Sequence, residues 1–302
     1  MTGLVSAFTN VVGPVLLVGG AGYALGRRRA VDGRALSSLS VAVFMPGIVF
    51  YAVTSSALQS VSLARFTGYL LVQFAVIAFL TAGTSRLYGW DRTLTTGLLL
   101  ATMFSNAGNA GLPLAYFAWG NTGLAAAVGF FAVQAVMTNM VAAYLAAQAE
   151  AGAARALEAL LRLPVTYAVA AGLLIDSLGI MLPPPIARAT KLLADGALGV
   201  QLILVGVQLS EVRFSGAWRG IAFASAMRLV LAPALAWGTA PLLGLEGIAR
   251  QTSILQASMP TAVSAAIWAS EFAVTPALVS SVVVVTTLLS PLTITILLVL
   301  LR

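Results

Sequence analysis

The 302-residue chain contains no cysteine, no histidine and a single lysine, Lys191, and charged residues make up only 8% of it. The lack of cysteine excludes disulfides, thiolate nucleophiles and thiolate metal sites. The lack of histidine removes the imidazole as a general base and as a metal ligand. An intramembrane enzyme would be left with paired acids or a Ser–Lys dyad. Lys191 lies near the end of an apolar segment and no two acids occupy facing mid-segment positions, so no enzyme, metal site or cofactor is expected.

What the chain has instead is apolar length. Hydrophobic residues make up 60% of it and the mean hydropathy is +1.00. Runs of around twenty apolar residues, the length that crosses a bilayer, recur along it. The pattern is that of an all-α polytopic membrane protein. Polar and charged punctuation divides it into ten segments, at 4–26, 36–57, 64–89, 93–118, 121–148, 163–182, 186–210, 215–243, 248–270 and 274–301. The first segment has no basic leader and runs into Arg27–Arg29 instead of a small-residue cleavage site, so it is expected to be a retained span.

Basic residues orient these segments. With the N-terminus outside, the inner loops hold Arg27, Arg28, Arg29, Arg34, Arg86, Arg92, Arg155, Arg162, Arg213 and Arg219. The outer loops and C-terminus hold only Arg65, Arg188, Lys191, Arg250 and Arg302, and Arg228 falls inside the eighth segment. A multi-pass protein of the cytoplasmic membrane with both termini outside is expected. The net charge of +7 reflects this bias and gives no reason to expect nucleic acid.

The longest loop, 149–162, separates five segments from five, giving a first repeat at 1–148, a cytoplasmic linker at 149–162 and a second repeat at 163–302. An odd number of crossings per half places the halves upside down relative to each other, the plan of many secondary transporters. The fourth segment is interrupted by NAGNAGLPL (106–114) and the ninth by SMPTAVS (258–264). Pro113 and Pro260 break a helix, Gly108 and Gly111 ease its unwinding, and the backbone groups set free are costly in hydrocarbon unless satisfied. Two broken crossing helices, 4 and 9, would meet near the midplane, presenting helix N-termini that favour anions. Asn106 and Asn109 add amides one turn apart, and Ser258, Thr261 and Ser264 add hydroxyls.

SNAGNAGLPLAYFAWG resembles the fourth-span motif of the auxin efflux carrier family, and ILQASMPTAVSAAIWASEF its ninth. LRLPVTYAVAAGLLIDSLGIMLPPPI with LGVQLILVGVQLS resembles its sixth and seventh spans, and SLSVAVFMPGIVFYAVTSS its second. The short central loop fits the bacterial branch. The resemblance implies a homodimer of ten-span protomers, with spans one, two, six and seven as a scaffold and three to five and eight to ten as a mobile transport unit. It implies an organic anion as cargo, an auxin-like monocarboxylate or a malonate- or malate-like dicarboxylate. It also puts Asn106, Gly111, Pro113, Pro260 and Thr261 at or beside the crossing. Where some relatives carry Asn shortly after the ninth-span Pro, this chain has Ser264.

Charges inside spans are functional candidates by default. Glu271 closes the ninth segment, as a proton-coupling group or an interface marker. Arg228 would hold a carboxylate, pair with an acid or snorkel to the inner surface, and Asp195 lies near an outer span end. The expected function is a secondary transporter of a small organic anion, driven by a proton or sodium gradient or by neither. A channel, a membrane-embedded sensor and a cation/proton exchanger are the alternatives, the last disfavoured because the breaks hold Asn, Ser and Thr but no carboxylate.

Overall fold

The computed structural model describes residues 2–55, 63–147, 164–212 and 217–301. The expected linker at 149–162 lies outside these residues. Eleven helices are labelled here in chain order. They are α1 Gly3–Arg27, α2 Gly33–Thr54 and α3 Leu63–Leu87; α4 Arg92–Met103, α5 Leu112–Ala147, α6 Pro164–Ser177; α7 Pro184–Glu211 and α8 Trp218–Leu242; and α9 Gly247–Ala257, α10 Val263–Glu271 and α11 Pro276–Leu300. No β-strand forms among the described residues.

Seven stretches of helix among these residues are long and apolar enough to cross a membrane. Ten segments were expected, and the remaining ones hold shorter or merged helices. Segment 163–182 contributes the 14-residue α6, and segment 248–270 is divided between the 11-residue α9 and the 9-residue α10. Segments 93–118 and 121–148 contain the 12-residue α4 and the long α5, whose dihedrals leave the helical region at Trp119 and Gly120, between the two segments. Large apolar side chains such as Leu17, Phe79 and Leu242 are more than three-quarters exposed, which is costly in water and favourable against lipid tails. The chain is a multi-pass membrane protein.

Four of its prolines share one local solution. A proline lacks an N–H, and its ring crowds the carbonyl four residues back. The helix widens just before each: π turns span Phe8–Val12 ahead of Pro14, Ser40–Phe44 ahead of Pro46, Ala107–Gly111 ahead of Pro113 and Met227–Leu231 ahead of Pro233. At three of them the residue preceding the proline donates its N–H five residues back, Gly13 to Phe8, Met45 to Ser40 and Ala232 to Met227. The extra residue per turn clears the ring and keeps the ladder nearly continuous.

The chain divides into two compact units, each drawing on both halves of the sequence. The first consists of Met1–Pro14, Ala64–Ala107 and Glu211–Arg302. Ile77, Met227 and Ala232 form an apolar cluster there, with Met103, Phe223 and Leu235 packed on it, and the helix start at α4 is capped by Asp91, which accepts from the Leu94 N–H at 2.7 Å. The second unit consists of Val15–Leu63 and Gly108–Ser210. In it α1 and α7 approach at backbone distance: a Cβ on Gly22 would strike the Ile203 carbonyl, and one on Gly206 the backbone of Gly19. Small residues are what allow such contact between membrane helices.

Candidate functional site

Within the first unit two stretches of non-helical backbone meet. The helix α4 ends at Met103, and Phe104 turns extended with φ −103° and ψ 118°. Helical structure resumes only with the π turn at Ala107. Likewise α9 ends at Ala257, and α10 begins at Val263 after an extended Ala262. Proline dictates the second interruption locally, because Pro260 has no N–H to continue a helix.

Buried backbone polar groups have to be paired, and here each interruption supplies partners for the other. Ser105 and Thr261 form an isolated antiparallel bridge. The Asn106 N–H donates to the Pro260 carbonyl at 2.8 Å, and the Ala262 N–H to the Phe104 carbonyl at 2.9 Å. The Thr261 N–H donates to Oγ1 of Thr286 at 3.1 Å, and that hydroxyl passes its own proton to the Val282 carbonyl at 2.7 Å. The Thr261 hydroxyl donates to the Ala101 carbonyl at 2.8 Å. The Phe104 ring stands edge-on to Phe74 and to Trp268, with centroids 5.4 and 5.6 Å away.

Of the residues expected at a site, Asn106, Ser258, Pro260 and Thr261 come together here, all buried. The Ser258 hydroxyl turns back to the Ile254 carbonyl of its own helix at 2.6 Å, and Ser264 is half-buried on the first turn of α10. Asn106 is 4% exposed and its Nδ2 has no partner. Asn109 and Gly111 lie on the π turn and Pro113 just past it, in residues of the second unit, with Asn109 half-buried and the other two buried.

Residues 153–298 match the membrane transport protein family. An uncharacterized transporter of Methanothermobacter thermautotrophicus is 28% identical over 269 residues, 86% of each chain. Another, of Methanocaldococcus jannaschii, is 22% identical over 293 residues, 91% of this chain and 92% of the other. Auxin efflux carrier component 1 of Arabidopsis thaliana is 31% identical over 107 residues, which are 35% of this chain and 17% of that one. The chain is thus similar to membrane transport proteins over most of its second half and to the two archaeal transporters over nearly its whole length. The matched family is one of transporters and not of enzymes, and it is related to the auxin efflux carriers.

The charges expected within the spans differ in their surroundings. Arg228, on the π turn of α8, is 1% exposed. Its Nη1 donates to the Thr102 carbonyl at 3.2 Å, and its Nη2 to the carbonyls of Ala257 and Met259 at 2.8 and 2.6 Å. Glu271 is exposed at the end of α10. Asp195 is exposed and paired with Lys191 at 2.6 Å, the kind of surface pair that contributes about 0–1 kcal/mol. A cavity of about 430 Å³ in the second unit is lined by Tyr51, Thr54, Asp176 and Thr190 among others, and by none of the expected site residues.

Two participants escaped the sequence reading. Thr286 looks in the sequence like a neutral residue of an apolar span, although the pair Thr286–Thr287 interrupting a run of valines and leucines is a visible signal. The carbonyls that receive Arg228 carry no signal, because every residue has one.

Proposed function

We propose that this protein is a secondary carrier of a small organic anion, a mono- or dicarboxylate, across the cytoplasmic membrane by alternating access. In this reading the interruptions at 104–106 and 258–262 belong to broken spans four and nine of a ten-span inverted repeat, and two protomers associate as a homodimer. Spans three to five and eight to ten move against the rest.

The observation that carries the reading is the Asn106 amide. It is buried with Nδ2 unpartnered, and the next residue starts a helix. An unpaired donor costs about 1–3 kcal/mol, so its retention beside a helix N-terminus points to a ligand that supplies an acceptor. A carboxylate fits both features, since helix N-termini favour anions and an amide N–H donates well to a charged oxygen. The plant relative named an auxin efflux carrier points the same way.

The test is uptake of a panel of mono- and dicarboxylates, indole acetate included, by purified protein in liposomes with and without pH and sodium gradients. Saturable uptake of one acid that is lost in Asn106→Ala supports the carrier and identifies its coupling. Non-saturable flux with folded protein favours a channel, and no flux across the panel removes the carboxylate reading.

A further inference from the structure

Arg228 is a full positive charge in the interior of a membrane protein, and all three of its hydrogen bonds go to backbone carbonyls. Those carbonyls have a common origin. Thr102 is in the last turn of α4, Ala257 is the last residue of α9, and Met259 lies two residues beyond it. The guanidinium therefore sits on the C-terminal ends of two helices at once. Each such end carries roughly −0.5 of an elementary charge, so the pair amounts to about −1, which one guanidinium cancels. Nε is buried without a partner, so no carboxylate shares the charge at that atom.

Carbonyls at the ends of interrupted helices are also the oxygens with which many transporters hold a coupling sodium ion or proton. Here they are occupied by a cation tethered to the chain. The π turn ahead of Pro233 contributes to this arrangement, since the added residue at Met227–Leu231 shifts the face on which Arg228 projects.

We propose that Arg228 is a built-in counter-cation for the C-termini of α4 and α9, standing where a loose monovalent cation would otherwise bind, so that the cargo crosses with no inorganic cation beside it. The statement about cargo rests on the carrier reading above, while the cation site does not. With the C-terminal charge cancelled, the N-terminus of α10 at Val263 is left as an uncompensated helix end within the same unit.

The experiment uses full-length protein in detergent at constant ionic strength, with N-methylglucamine exchanged for sodium or for methylguanidinium. Thermal unfolding is followed for wild type, Arg228→Gln and Arg228→Lys. Arg228→Gln is expected to gain a saturable rise in midpoint with methylguanidinium or sodium, wild type to show none, and Arg228→Lys to resemble wild type, its ammonium supplying charge and donors. In liposomes, uptake by Arg228→Gln is expected to fall about tenfold, from carbonyls left unpaired, and to recover in part with either cation. Saturable stabilisation of wild type by sodium overturns the proposal even if Arg228→Gln does not fold. So does an Arg228→Gln protein indifferent to both cations, or an Arg228→Lys protein no better than Arg228→Gln. If no carboxylate is carried but the cation-dependent midpoint appears, the carrier reading fails and the counter-cation stands. If wild-type uptake of a carboxylate needs sodium, the counter-cation fails and the carrier stands.

Discussion

At 258–262 both side-chain hydroxyls are committed to the fold: Ser258 donates to the Ile254 carbonyl and Thr261 to the Ala101 carbonyl. At 104–106 the Asn106 amide is just as buried, yet its Nδ2 has no partner. The two interruptions pair with each other through one isolated bridge and two backbone hydrogen bonds, and they differ in their side chains. A polar group that closes a hydrogen bond inside the protein explains its own presence. One that stays open in a dry interior is retained against stability, and such groups gather where a ligand completes them.

The comparison breaks most visibly at Thr261. Thr261→Val keeps the shape, removes the donor to Ala101, and leaves a buried carbonyl unpaired, at a cost of about 1–3 kcal/mol. A lowered thermal midpoint in detergent is expected, with uptake reduced in proportion to the folded protein that remains. If the midpoint does not move, the bond contributes nothing and the contrast with Asn106 disappears.

For Asn106 the expectation is reversed. Asn106→Ala should leave the midpoint equal or slightly raised, because no internal hydrogen bond of Nδ2 is lost. Uptake should fall about tenfold to a hundredfold, the range for a hydrogen bond to a charged group. A destabilised variant with normal uptake per folded molecule would make Asn106 a structural residue. Pro113→Ala sharpens the same contrast from the neighbouring π turn. Restoring an N–H at 113 lets Ala107–Gly111 tighten into an α-helix. Uptake is then expected to fall by about threefold with stability unchanged or raised, the trade seen when a strained functional segment is relaxed. Hydrogen exchange of amides 107–113 would register the tightening directly.

Much of this was legible beforehand. Apolar run lengths located the helices, because a span must be long and continuous to satisfy its backbone in lipid. The string around Pro260 located the second interruption, because proline acts locally, whereas the first falls at 104–106, ahead of Pro113, which sits inside helical structure behind a π turn and does not break it. Pro14, Pro46 and Pro233 offered the same clue to the π turns of α1, α2 and α8, each again with a polar residue on the turn, Asn10, Ser40 and Arg228. The sequence could not show which polar side chains are spent on carbonyls. Arg228 illustrates this: its position in the eighth span was plain, but its partners are backbone oxygens from α4 and α9, brought together only by tertiary packing.

Ser258 gives the smallest effect and the most exacting check. Its hydroxyl returns to the carbonyl four residues earlier in its own helix, a bond that many serines in membrane helices make and that competes with the backbone ladder. Ser258→Ala removes donor and bond together, and the Ile254 carbonyl still accepts from the Ser258 backbone N–H at 3.1 Å. The change in stability should therefore be within about 0.5 kcal/mol, and uptake should keep its wild-type rate and half-saturation. Ser258 and Asn106 are both polar, both buried and both on interruptions that face each other. If Ser258→Ala proved as damaging to uptake as Asn106→Ala, polarity near the bridge would be what matters. A silent Ser258→Ala beside an inactive Asn106→Ala would establish that the unpartnered amide is the functional feature.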